Sequence, residues 1–105
     1  MPSSAQKLAS SEGNFNERLR DALLYYPETG ELWWATGKYV GRRAGSVGGS
    51  NKRRVSFEGK LYNADELIYR YMTGHWSRNP VRHMNGDKLD DSWKNLSMDP
   101  DGDYR

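Results

Sequence analysis

The stretch "RHMNGDKLDDSWKNL", residues 82–96, decides how this chain is read. Asn85, Gly86 and Asp87 form a turn signal between a short strand expected over 81–84 and a return segment at 93–96, which predicts a β-hairpin. His83 falls on the outgoing strand, and Asn95, twelve positions later, falls on the strand that comes back to face it.

Upstream of the hairpin, "NADELIYRYMTG" at 63–74 carries a complete set of helix signals. Asn63 serves as the cap, Glu66 completes a capping box, and Gly74 stops the helix. Ala64, Leu67, Ile68, Tyr71 and Met72 recur at helical spacing, so they are assigned to core packing. Before this helix, "RRVSFEG" alternates Val55 and Phe57 with polar neighbours, and Glu58 to Lys60 turn the chain into a second strand at Leu61 and Tyr62. The glycine-rich "GRRAGSVGGSNKRR" at 41–54 reads as a mobile loop; it lacks the strand and helix offsets of a phosphate-binding P-loop. "YPETGELWWAT" reads as a turn at Pro27 and Gly30 followed by a strand over 32–35. At the start of the fold, Asn14 or Asn16 caps a helix with Phe15, Leu19, Ala22, Leu23 and Tyr26 on one face, and Pro27 ends it. The organisation expected is a flexible tail over 1–13, a single domain over 14–98 and an acidic tail over 99–105.

The composition fits one small domain. Hydrophobic residues make up 35% of the 105 positions, but four Trp, seven Tyr and two Phe supply large buried areas for a packed core. With no cysteine, neither a disulfide framework nor a thiolate zinc site can hold the fold, and any metal must take oxygen or nitrogen ligands. No apolar run reaches the roughly 20 residues of a membrane span, and the N-terminus lacks the apolar centre of a signal peptide, so the expected location is cytoplasmic.

Charge is distributed unevenly. Residues 38–60 hold seven Lys or Arg against one Glu, whereas residues 85–105 hold six Asp against three Lys or Arg. This pattern suits a phosphate-facing strip beside a carboxylate-rich site. The expected DNA contacts are Arg42, Arg43, Lys52, Arg53, Arg54 and Arg82, with Trp33 and Trp34 as aromatic companions. His75, just past the helix stop, is assigned no role.

The joined motifs "PETGEL", "GKLYNADELIYRYMTGHW" and "HMNGDKLDDSWKNL" resemble the phage-borne HNH homing-type endonucleases, over about residues 25–96. The resemblance implies an α+β fold of the ββα-metal kind: an N-terminal helix, antiparallel strands, a central helix and a ββ hairpin carrying His83 and Asn95. It also implies DNA as partner. His83 matches the histidine that acts as general base on water against a phosphodiester, and imidazole suits this because its reference pKa of about 6.5 leaves a proton-accepting form at neutral pH. Asn95 matches the central asparagine, whose amide can fix the loop or the histidine ring. Mg²⁺ or another divalent cation would neutralise charge on the phosphate.

The chain departs from the family at three positions. Arg82 stands where an acidic metal ligand usually precedes the histidine, and a guanidinium cannot ligate a cation. Asp65 stands where the helix usually carries a histidine. The closing helix is truncated or missing, because Pro100 and Gly102 interrupt "SMDPDGDYR", and Asp99, Asp101 and Asp103 are then the candidate oxygen donors. No metal ligand is assigned. Two readings remain open: a DNA endonuclease with His83 as base, or a catalytically degenerate HNH-fold binding protein, such as a phage inhibitor of a host defence complex or host polymerase.

Overall fold

The structure is a computed structural model that describes residues 11–49 and 51–97. The acidic tail, including Asp99, Asp101 and Asp103, and the position of a closing helix lie outside them. Among the described residues, two helices and three small antiparallel sheets run in the order α1 (Ser11–Ala22), β1 (Leu23–Tyr26), β2 (Glu31–Trp34), β3 (Ser46–Val47), β4 (Arg53–Phe57), β5 (Lys60–Asn63), α2 (Ala64–Thr73), β6 (Arg82–His83) and β7 (Leu96–Ser97). This is the α+β architecture expected.

The first helix differs from its expectation at both ends. It begins at Ser11, before Asn14, and stops at Ala22. Leu23 to Tyr26 leave it to form a strand in register with Glu31 to Trp34. The physical reason is competition between periods. Phe15, Leu19, Ala22 and Leu23 fit a helical stripe, but Leu23 and Tyr25 are buried while Leu24 and Tyr26 are exposed, the alternation of a half-buried strand. Pairing with β2 supplies ladder partners that an isolated helical turn ending at Pro27 would lack.

The β1–β2 turn closes on Gly30, whose φ of +85° is the left-handed region that glycine enters without penalty. The β4–β5 hairpin closes at Glu58 and Gly59, both at positive φ, as a two-residue turn of this twist requires. The glycine-rich segment is not wholly a loop: Ser46 and Val47 pair with Arg54 and Arg53 as the edge strand β3.

The helix α2 forms where expected. Asn63 is extended at its cap, its N–H donates to Glu66 Oε1 at 3.4 Å, and Gly74 closes the helix at φ +85° with its N–H on the Arg70 carbonyl. Ala64, Leu67 and Ile68 are almost fully buried against Leu19, Leu23, Leu32, Val55 and Phe57, which join the helices and sheets into one core. Each of the larger of these side chains contributes roughly 1.5–3 kcal/mol through removal from water. Tyr71 and Met72 pack at its margin, as does Trp34. Among the described residues no helix is long and apolar enough to cross a membrane.

Candidate functional site: a buried histidine under a basic cleft

The site is built from four segments that only the fold brings together. In β6, His83 pairs with Leu96 and Arg82 with Ser97, so alternation sends Arg82 outward and the His83 ring inward. The ring is 4% exposed. Its Nε2 lies 2.7 Å from Asp91 Oδ1 and 4.0 Å from Asp65 Oδ2, and Asp65 Oδ2 in turn accepts from the Lys52 ammonium at 2.9 Å. Lys52, Asp65, His83 and Asp91 therefore form one line in which each carboxylate faces a nitrogen donor.

Elementary electrostatics explains why this line persists. A buried carboxylate without a partner loses its hydration, a cost that only a close cation or hydrogen-bond donor offsets. Among the described residues no buried side-chain nitrogen or oxygen lacks a hydrogen-bond partner. Asp65 also sits in the first turn of α2, where the helix dipole favours negative charge. Burial raises the Asp91 carboxyl above its ordinary range, and the His83 hydrogen bond and charge partly reverse this. A neutral ring that donates Nε2–H to the Asp91 carboxylate has its lone pair on Nδ1.

Asn95 is not on the return strand. It ends the 3₁₀ turn Trp93–Asn95, one residue before β7, and its amide fixes the loop rather than the ring. Its Oδ1 accepts from the Asn85 N–H at 2.9 Å, and its Nδ2 donates to the Asp90 carbonyl at 2.8 Å. Its backbone carbonyl accepts from Met84 at 2.8 Å. The loop between is knitted by its own short polar side chains: Asn85 Oδ1 takes the Asp87 N–H, Asp87 Oδ1 takes the Leu89 N–H, and Asp90 Oδ1 takes both donors of Ser92. Ser92's hydroxyl and N–H, then Asn85's amide, hold the Asp90 carboxyl below the usual carboxylate range.

Asp91 is positioned from behind by the β1–β2 hairpin. The Tyr25 hydroxyl donates to the Asp91 carbonyl at 2.6 Å, and the Pro27 carbonyl accepts from the Trp93 N–H at 2.8 Å. Burial, followed by the charges of Asp91 and Asp90, raises the Tyr25 phenol above its ordinary value of about 10. A raised pKa means that protonated Tyr25 contributes stability below pH 10, lost as pH rises toward the folded value. Urea unfolding of the wild type should therefore weaken more steeply above pH 10 than that of Tyr25→Phe. Parallel curves for the two proteins would show that Tyr25 ionises freely.

The expected DNA contacts divide among three environments. Lys52 and Arg82 line a cleft of about 290 Å³ over His83, together with Val81, Gly86 and Lys88. Arg42, Arg43 and Arg54 line a different cleft, on the outer face of the β3–β4–β5 sheet. Arg53, on the inward face of β4, donates to the Ala44 and Gly45 carbonyls at 3.2 and 2.9 Å, so its guanidinium is engaged in holding the loop. Trp33 Nε1 donates to Glu31. One basic run thus becomes separate surfaces: alternation along β4 sends Arg53 and Arg54 to opposite faces, and Lys52, just before the strand, is drawn to Asp65.

The described residues around His83 do not fit a resident divalent cation. Hard cations take several unshared oxygens. Here Asp65 holds Lys52, Asp91 holds His83, and Lys52, Arg82 and Lys88 bring positive charge to the same cleft. Among the described residues no cluster of three or more His, Asp or Glu is placed to share an ion.

Sequence reasoning placed His83 and Asn95 in this region but missed Asp91, Tyr25 and Lys88. Asp91 lies eight residues beyond His83 and carries no spacing signal, and Tyr25 is 66 residues away from it. Comparison of the chain with protein-family profiles, curated proteins and solved structures finds no match.

Proposed function

We propose that this is an HNH-like DNA-acting protein that seats a phosphodiester in the cleft over His83 and hydrolyses it with His83 as general base. The observation that carries the reading is the His83–Asp91 pair at 2.7 Å beneath a cleft lined by Lys52, Arg82 and Lys88. Asp91 fixes the ring, leaving Nδ1 to accept a proton from the water that forms the new P–O bond, while the sugar oxygen of the broken ester bond leaves beside the cleft's cations and takes a proton from solvent. Arg82 and Lys88, beside the Lys52–Asp65 pair, would supply the positive charge that a phosphate requires, the electrostatic task that dominates phosphoryl chemistry. Asn95 is a positioning residue, since it holds the loop that carries Asp91.

A second reading is favoured by a specific observation: the His83 ring is 4% exposed and both nearby carboxylates are already partnered. In that reading the same cleft binds the DNA backbone without cutting it.

The test is nicking of supercoiled plasmid by wild type and His83→Ala, in EDTA and in Mg²⁺, Mn²⁺ or Ni²⁺, with retention on duplex DNA measured in parallel. Nicking lost in His83→Ala is the expected result. Retention without nicking leaves the second reading, provided that Lys88→Ala lowers the salt slope by about one unit, the value for a single neutralised phosphate of a duplex. Absence of retention at low salt would overturn both.

A further inference from the structure

The outer face of the β3–β4–β5 sheet carries a second site that His83 does not share. Arg54 and Ser56 point outward from β4 while Val55 and Phe57 enter the core, and Leu61, opposite Ser56 in register, is 56% exposed. The other wall is the segment after β2. Trp34 exchanges backbone hydrogen bonds with Arg42 and Gly41 at 2.9 Å each, and Trp33 bridges Arg43, so the segment folds back and presents both arginines. Gly45 lies so close to the Arg54 carbonyl that a Cβ there would strike it, which brings the two walls together.

The resulting cleft, about 510 Å³, is lined by Trp34, Tyr39, Arg42, Arg43, Arg54 and Leu61 among others, and no carboxylate lines it. Among the described residues none of its three guanidiniums joins an ion pair, whereas Arg18 pairs with Glu58 and Lys52 with Asp65. Tyr39 is 49% exposed beside them. Three uncompensated planar cations call for an anion, and accessible aromatic and apolar surface between them calls for a flat partner.

We infer that this cleft binds an unpaired nucleotide of a single nucleic-acid strand, its phosphates on Arg42, Arg43 and Arg54 and its base against Trp34 and Tyr39. Bases within a duplex are stacked on one another and offer no face to these rings; an unpaired base does. The inference rests on nucleic acid being the ligand, as proposed above, but not on His83 chemistry.

The experiment measures tryptophan quenching and anisotropy with a labelled oligothymidylate of about twelve nucleotides, a duplex of matched length, thymidine monophosphate and polyglutamate. The strand should bind at least about fivefold tighter than the duplex. Tyr39→Ser should remove that preference with the salt slope unchanged, and Arg54→Gln should reduce the slope by about 0.7, the value for one phosphate of a single strand. Equal binding of strand and duplex, insensitivity to both substitutions, monophosphate binding as tight as the strand, or polyglutamate competing equally would each overturn the inference, the last pointing to an acidic protein. The readings fail separately: strand binding that survives in a His83→Ala protein without nicking leaves this site standing, and His83-dependent nicking with no strand preference removes it alone.

Discussion

Gly30→Ala is expected to cost about 2–5 kcal/mol, a large share of the stability of a domain whose total lies in the range of about 5–15 kcal/mol. Two costs add. At φ +85° a Cβ meets its own backbone, roughly 1–2 kcal/mol for a left-handed L-residue. The same Cβ would lie 2.5 Å from Asp91 C and Ser92 N, which are backbone atoms and cannot rotate aside. Forced displacement of packed groups costs typically 1–3 kcal/mol more. Gly37→Ala separates the two contributions, because Gly37 has nearly the same φ, +86°, with nothing within 4 Å of its Cβ position. Urea and thermal unfolding should show a melting temperature lowered by about 10–30 °C in Gly30→Ala and by roughly half as much or less in Gly37→Ala. Equal losses would refute the close packing of the β1–β2 turn on the Asp91–Ser92 backbone. Because that backbone carries the partner of His83, the Gly30 variant should also lose any His83-dependent activity at temperatures where it remains folded.

Asn95→Ala should cost about 2–4 kcal/mol. Asn95 is 7% exposed, and its amide satisfies the Asn85 N–H and the Asp90 carbonyl at once. Truncation leaves both groups without their partner, at roughly 1–3 kcal/mol for each that stays out of water. Asn95→Asp is the sharper variant. It retains an acceptor for Asn85 but turns a second oxygen toward the Asp90 carbonyl, so it should be no more stable than Asn95→Ala. If Asn95→Asp unfolds at the wild-type urea concentration, the bond to the Asp90 carbonyl does not hold the loop.

Where the sequence was legible, the deciding interactions were local. Asn63, Glu66 and Gly74 specify α2 through hydrogen bonds within three or four residues, and Gly59 closes its hairpin through its own backbone freedom. The boundary of α1 was not legible for the opposite reason. Leu23 to Tyr26 satisfy both a helical stripe and a strand alternation, and the choice depends on β2, a partner reached only after the turn. In the sequence the basic segment is one strip, because residue types are visible along a chain and strand faces are not. Once β4 is formed, Arg53 turns to the loop carbonyls and Arg54 to the outer cleft.

The stretch at 82–96 shows the same division. Its own residues determine the turn, the polar knitting of the loop and the chemistry available: one imidazole, three carboxylates, two amides and a guanidinium. Which of these meet is decided only by the closed core, which brings Lys52 and Asp65 to His83 and sets Tyr25 and Gly30 behind Asp91. Local hydrogen bonds can be anticipated from spacing, whereas a buried charge takes whatever partner the packing of distant segments delivers.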